Sequence, residues 1–208
     1  PFEKFALADR TLGTQMKATG EVMAVDRTFE GAVLKAVRSL EIGAAYLSLK
    51  SLESKSLIDI VERLQRQDDE RIFVVTQALR MGISTEKIHF ITGYDMWFLN
   101  KLKGIVDLEE NLKKNGLNKE NVRLAKKYSM PDAVIGGLTG KTEDEVRSYR
   151  IGAGILPTFK MVDTCSAEFE AETPYYYSCY ASEDEVKPLG DKSVVVIGSG
   201  PIRIGQGI

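Results

Sequence analysis

The residues whose types and spacing best suit chemistry are Gly198, Gly200, Arg203, Gly205 and Gly207 in GSGPIRIGQGI, directly after the apolar run SVVVI at 193–197. A buried strand followed by glycines commonly aims backbone N–H groups at a phosphate from the start of the next helix, where the dipole also favours an anion. The dinucleotide pattern G-x-G-x-x-G is met at Gly198 and Gly200, but Arg203 stands where the third glycine would pack helix on strand. The P-loop pattern G-x-x-x-x-G-K-[ST] is met at Gly200 and Gly205, but Gln206 and Gly207 replace the lysine and hydroxyl that hold phosphate and magnesium. Neither motif is complete. The residues alone leave open a phosphate-facing turn or a glycine-rich tail behind a lone strand.

Other reactive groups are sparse. His89 is the only histidine and has no nucleophile near it in KIHFI, so it reads as a packing or surface residue rather than as a catalytic base. Cys165 and Cys179 are too few for a disulfide framework or a zinc site, which predicts two reduced thiols and a cytosolic compartment. Asp163 and Glu168 flank Cys165 without a metal-ligand pattern. Trp97 and Phe98 have the surface to stack a ligand, although core or interface packing is the commoner use of such a pair. Tyr175, Tyr176, Tyr177 and Tyr180 lack interleaved basic residues and read as strand packing rather than as a base-stacking platform. Residues 131–150 resemble a helix-turn-helix around GGLTG, which makes a nucleic-acid-binding module the main rival reading. Against it, Asp132, Glu143, Asp144 and Glu145 outweigh Lys141, Arg147 and Arg150, whereas a recognition helix must bring cations to the phosphates.

Composition sets the frame for these residues. The 208 residues carry a formal net charge of −2 and 43% hydrophobic content, enough for a real core and no general attraction for nucleic acid or anionic membrane. No apolar run approaches a membrane span, and PFEKFALADR lacks the features of a signal peptide.

The elements that must position the residues are mainly helical. Glu21 to Val25 reads as a short strand. Thr28 then caps a helix with Phe29, Val33, Ala36, Val37 and Leu40 on one face, with Gly43 placed to end it. Ser56 and Asp59 make a capping box before Leu57, Ile60, Val61 and Leu64. Helices follow at about 70–80 and from Ser84. The longest starts at Asp95 and stops before Gly116, with Phe98, Leu99, Leu102, Ile105, Val106, Leu108 and Leu112 on an arc wider than one contact needs. That arc points to several neighbours or to a partner chain, and makes Trp97, Phe98 and Leu99 candidates for an oligomer interface. Glu109 lies inside the arc, where an unpaired carboxylate would be costly, so it needs Lys113 at i+4 or a cation from another element. Shorter helices are expected at 119–128, 131–138 and 143–151, the last behind a Thr142–Glu145 capping box. Residues 174–180 favour an extended aromatic strand, and 181–191 an exposed connector.

Four stretches in order carry a resemblance: QMKATGEVMAVDRTFEGAVLKAVRSLE (15–41), GYDMWFLNKLKGIVDLEE (93–110), FKMVDTCSAEFEAETPYYYSCY (159–180) and VVVIGSGPIRIGQGI (194–208). Together they resemble successive landmarks of the large chain of carbamoyl phosphate synthetase, over nearly the whole sequence. The resemblance implies a mainly α piece of that chain, a multi-helix oligomerisation domain flanked by extended or short β segments of two ATP-grasp halves. Residues 1–42 would be the tail of the first half and 43–157 the helical domain. Residues 158–190 would be a connector, and 191–208 the first strand and glycine-rich loop of the second half, stopping before its usual Glu-Phe-Asp-Tyr continuation.

The parent reaction it implies joins bicarbonate, glutamine-derived ammonia and two ATP into carbamoyl phosphate for pyrimidine and arginine synthesis, assisted by magnesium or manganese and potassium. A glutaminase small subunit is the implied partner. The ATP-holding and metal-holding residues fall in other regions of the family, so no cofactor and no catalysis are expected of these residues themselves. The expected task is self-association and spacing of the catalytic halves, without nucleic acid or membrane. Gly198, Gly200, Arg203, Gly205 and Gly207 match the family loop beside the internal passage for carbamate, where a side chain larger than that of Gly207 would narrow the way.

Overall fold

The structure, a computed structural model, describes residues 2, 7–17, 22–40, 42–170 and 172–198. Among the described residues the chain forms nine helices and one small sheet: α1 (Phe29–Ser39), α2 (Lys50–Glu53), α3 (Leu57–Leu64), α4 (Arg71–Arg80), α5 (Thr85–Thr92), α6 (Met96–Asn115), α7 (Lys119–Lys127), α8 (Asp132–Thr139) and α9 (Glu143–Gly152), then β1 (Thr158–Met161) and β2 (Tyr176–Cys179).

Local chemistry sets most of the helix boundaries. Thr28, Ser84, Asp95 and Asn118 each accept a hydrogen bond from a backbone N–H of the first turn that follows, satisfying a donor the helix itself leaves free. Reciprocal capping boxes form at Ser56 with Asp59 and at Thr142 with Glu145. Gly93 and Gly140 close α5 and α8 in the left-handed conformation, at φ of 72° and 68°, which a side chain would oppose.

Helix α6 is the axis of the molecule, packed against α1, α4, α5, α7 and α8. Its Leu99, Ile105 and Leu112 are fully enclosed, and they meet Leu34, Leu47, Phe73, Ile88, Met130 and Ile135 in one core. Each such side chain contributes about 1.5–3 kcal/mol by leaving water. The wide arc of α6 therefore reflects several neighbours within the chain. Glu109 is buried in that arc, and its carboxylate accepts both Nε and Nη2 of Arg80 at 2.8 Å, the same guanidinium donating to the Leu47 carbonyl at 2.8 Å. Lys113 instead pairs with Glu110.

Beyond the helices, β1 and β2 pair antiparallel with Thr158 opposite Cys179 and Met161 opposite Tyr176. The outer edge of β1 is occupied by the connector: the Phe159 N–H donates to Asp184 and the Met161 N–H to Glu185, while the Glu185 N–H donates back to the Phe159 carbonyl.

Three sequence expectations are corrected. Residues 22–25 form no strand and join no sheet, and Glu21, the first residue of that expected strand, lies outside the described residues. The run 194–197 also forms no strand, and its side chains are 84–94% exposed. Both have β-favouring composition, yet a strand needs a ladder partner to satisfy its backbone, and no described segment supplies one. Helix α1 stops at Ser39, where the Leu40 N–H turns back to the Val37 carbonyl, so Gly43 at φ 77° belongs to a bend beyond the helix.

Candidate functional site

The first turns of α1 and α6 bring Phe29, Trp97 and Phe98 together. Phe29 lies 5.2 Å from the Trp97 ring centre and 5.3 Å from that of Phe98, and Trp97 and Phe98 stand edge to face at 5.0 Å. Such offset contacts are favoured by the ring quadrupoles. Trp97 is 51% and Phe98 45% exposed, so about half of each ring faces outward, whereas Leu99 is fully buried and contributes to the core rather than to the surface. The Asp95 carboxylate caps α6 by accepting the Trp97 N–H at 2.8 Å, which fixes the direction in which the two rings leave the helix.

One turn along α6, the Lys101 ammonium sits 5.4 Å from the Trp97 ring centre and 3.3 Å from the carboxylate of Glu30, which is buried. The pair neutralises the floor of the patch and stiffens it. Nearby, burial pushes the Tyr128 phenol above its ordinary value, and the charge of Glu30 adds to the effect. The result is an apolar aromatic surface on a rigid two-helix support, suited to contact with another protein surface rather than to bond making.

The glycine-rich loop is described only as far as Gly198, around which a Cβ would meet nothing within 4 Å. Gly200, Arg203, Gly205 and Gly207 lie outside the described residues. His89 is exposed, and its Nδ1 lies 2.7 Å from the Tyr94 carbonyl at the end of α5, a structural contact. Cys165 and Cys179 are free thiols, the second buried. Asp163 uses its carboxylate to accept the Cys165 and Ala167 N–H groups, which makes it a turn residue.

The helix-turn-helix-like segment is a packed hairpin. Val146 and Ile135 are enclosed between α8 and α9, the buried Arg150 donates to Asp132 at 2.7 Å, and Lys141 pairs with Glu145 at 3.2 Å. Two of its three cations are thus engaged, and the first turn of α9 is acidic.

Sequence reasoning did not find the buried charge cluster below this hairpin. Asp132 accepts from Lys126 at 2.7 Å and from Arg150 at 2.7 Å, and the Tyr180 ring lies 5.0 Å from the Lys126 ammonium and 5.8 Å from the Arg150 guanidinium. Burial works to raise the Asp132 carboxyl, but the hydrogen bonds and charges of the two cations overcome it and hold the group below the usual carboxylate range. Lys126 is held below its ordinary value by burial, which its bond to Asp132 only partly offsets. The cluster locks α7, α8 and α9 to the chain after β2, a task of architecture.

A family model described as "Carbamoyl-phosphate synthetase large chain, oligomerisation domain" matches residues 21–154, a span that contains all nine helices. The chain belongs to the carbamoyl-phosphate synthetase large-chain family. It is 50% identical over 210 residues to the carbamoyl phosphate synthase large chain of Clostridium acetobutylicum, covering 100% of this chain and 20% of that protein. It is also 50% identical over 208 residues to the carbamoyl phosphate synthase large chain of Caldanaerobacter subterraneus subsp. tengcongensis, covering 100% of this chain and 19% of that protein. The chain therefore spans about one fifth of the length of these carbamoyl phosphate synthase relatives.

Proposed function

We propose that this chain is the oligomerisation and spacer region of a carbamoyl phosphate synthetase large chain, and that it associates with a second copy of itself through the face carrying Phe29, Trp97 and Phe98. The identity over the full 208 residues to two synthase large chains is the observation that carries the assignment. The half-exposed Trp97 and Phe98 rings on α6, packed against Phe29 of α1, support the choice of face.

Under this reading the helical spacer, expected at 43–157, begins earlier and takes in α1, as the family match over residues 21–154 supports; the residues before it close the first catalytic half, 158–190 connect, and 191–208 open the second half. The parent, a cytoplasmic ligase, joins bicarbonate, ammonia released from glutamine by a small subunit, and two ATP into carbamoyl phosphate. No group of three or more His, Cys, Asp or Glu side chains that could hold a metal is found among the described residues. Under the same reading ATP, magnesium or manganese, and potassium belong to the ATP-grasp halves of the parent, and this chain's task is to space and orient those halves. No described helix is long and apolar enough to cross a membrane.

Sedimentation equilibrium between about 1 and 100 μM tests the association. A concentration-dependent rise in mass for the native chain that is lost in Trp97→Ser/Phe98→Ser supports the proposed face. A native chain that stays monomeric over that range refutes self-association by this region, and an assembly unchanged in the double variant refutes the choice of face. An ATPase measurement with magnesium and bicarbonate is expected to show no turnover, and turnover would refute the non-catalytic assignment.

A further inference from the structure

Two arms of the chain meet on one side of the helical body: residues 22–28, which lead into α1, and β2 with its flanks, 150 residues later. They border an open groove of about 830 Å³ lined by Met23, Val25, Arg38, Val162, Tyr176 and Tyr177. Lys35, on the second turn of α1, spans from one arm to the other. An ammonium has three N–H donors and no acceptor, and this one finds acceptors on both arms. It donates to the Val25 carbonyl at 2.9 Å and forms an ion pair with the Asp26 carboxylate at 2.7 Å, both on the entering arm. It also donates to the Ser178 carbonyl of β2, and the Tyr177 ring lies 5.5 Å away on the same strand.

Asp26 extends the junction into the body. Its side chain is 1% exposed, and Oδ2 also accepts the Ser129 hydroxyl at 2.7 Å from the turn between α7 and α8, while Oδ1 accepts the Arg27 N–H at 2.7 Å. Gly31 makes the close seat possible, since a Cβ there would stand 2.5 Å from the Asp26 carboxyl carbon. Arg38, on the same face of α1, holds the Ser129 carbonyl at 3.0 Å from the other side of that turn.

We infer that Lys35 is a positioning residue that couples the two arms, so that the chain entering the helical body and the chain leaving it cannot be displaced independently. A charged donor held by acceptors on both arms resists the motion of either, because moving one arm strips the ammonium of a hydrogen bond or of its ion pair, and its side chain is only 18% exposed. Coupling of this kind is reciprocal, so loosening one arm must loosen the other. The inference concerns the geometry of this chain and stands whether or not the proposed oligomerisation face is correct. If the chain also spaces two catalytic halves, Lys35 is where their mounting points are tied.

Hydrogen exchange read by mass spectrometry on the 208-residue chain tests it. In Lys35→Met, peptides covering 22–28 and peptides covering 176–180 are both expected to exchange about tenfold faster or more, the ratio that corresponds to loss of one charge-assisted hydrogen bond. Asp26→Ala removes a side chain of the entering arm that reaches Lys35 and the body but not β2, and it is expected to speed exchange in 176–180 as well. Arg38→Met, which holds the turn but neither arm, is expected to leave 176–180 unchanged. If Lys35→Met speeds only one arm or neither, or if Asp26→Ala leaves β2 unaffected, the coupling is overturned. Should Lys35→Met fail to fold, the Asp26→Ala and Arg38→Met comparison decides alone.

Discussion

Removing one partner of the Arg80–Glu109 pair should cost far more than removing both. Glu109 is 2% exposed in the middle of α6, and Arg80 reaches it from the end of α4 with two parallel 2.8 Å bonds. Burial works to lower the Arg80 pKa, but the bonds and charge of Glu109 more than reverse it, so the guanidinium stays charged beside the core. Arg80→Met leaves the carboxylate without its cation and strips the donor from the Leu47 carbonyl. A buried charge orphaned in this way costs about 3–5 kcal/mol. With a urea slope of about 2–3 kcal/mol per M, that loss lowers the unfolding midpoint by about 1–2.5 M.

Glu109→Leu alone should be comparably damaging, because it orphans Arg80 against Tyr46, whose ring centre lies 5.9 Å from the guanidinium carbon. The double variant Arg80→Met/Glu109→Leu replaces the pair with apolar groups of similar reach, and should recover to within about 1–2 kcal/mol of the native chain, the residual cost being the unpaired Leu47 carbonyl. Urea titrations followed by circular dichroism at 222 nm give all four corners of the cycle. Single variants that each cost under about 1 kcal/mol, or costs that simply add in the double variant, would refute the view that the pair is held by mutual need inside the core.

Gly136→Ala should destabilise the chain by about 1–3 kcal/mol in the same assay, since its Cβ would sit 2.5 Å from the Lys141 backbone carbonyl, an atom with little room to move. The depressed Asp132 carboxyl predicts an acid limb. Stability from this group is complete above its unfolded value of about 3.9 and is lost as pH falls through the lower folded value, so the melting temperature should fall less between pH 5 and 2 in Asp132→Asn than in the native chain. With a thiol reagent in native buffer, Cys165 should react quickly and Cys179, closed in beside Thr158, only after denaturant is added. Two fast thiols would contradict the packing of β2.

The sequence announced helices most clearly where a cap and a periodic face agreed. Asp95 and Gly116 bracket α6, and the boxes at Ser56 and Thr142 open α3 and α9, because capping is settled within four residues and needs nothing distant. Helix α2 escaped notice since it is a single turn without a side-chain cap. Tyr176–Cys179 was readable as extended, but its pairing with Thr158–Met161 depends on contacts across the intervening loop. At Glu109 the pattern demanded a cation, and the partner could not be named because Arg80 is 29 residues away on another helix. Phe98 and Leu99 shared one apolar arc on paper, yet a step of about 100° between neighbours sends Leu99 into the core and leaves Phe98 half outside. The ties of Lys35 were invisible for the same reason as Arg80, since two of its acceptors are backbone carbonyls, which every residue carries.

Trp97 is the only tryptophan in the chain, and it stands at the edge of the aromatic patch rather than in the core. Nature has thereby placed the single strong fluorophore on the one surface whose occupancy matters most for the proposed role. Its emission colour follows the water around the indole, so any surface laid over α1 and α6 would shift the spectrum to the blue without a label, while events elsewhere in the helical body would leave it nearly silent.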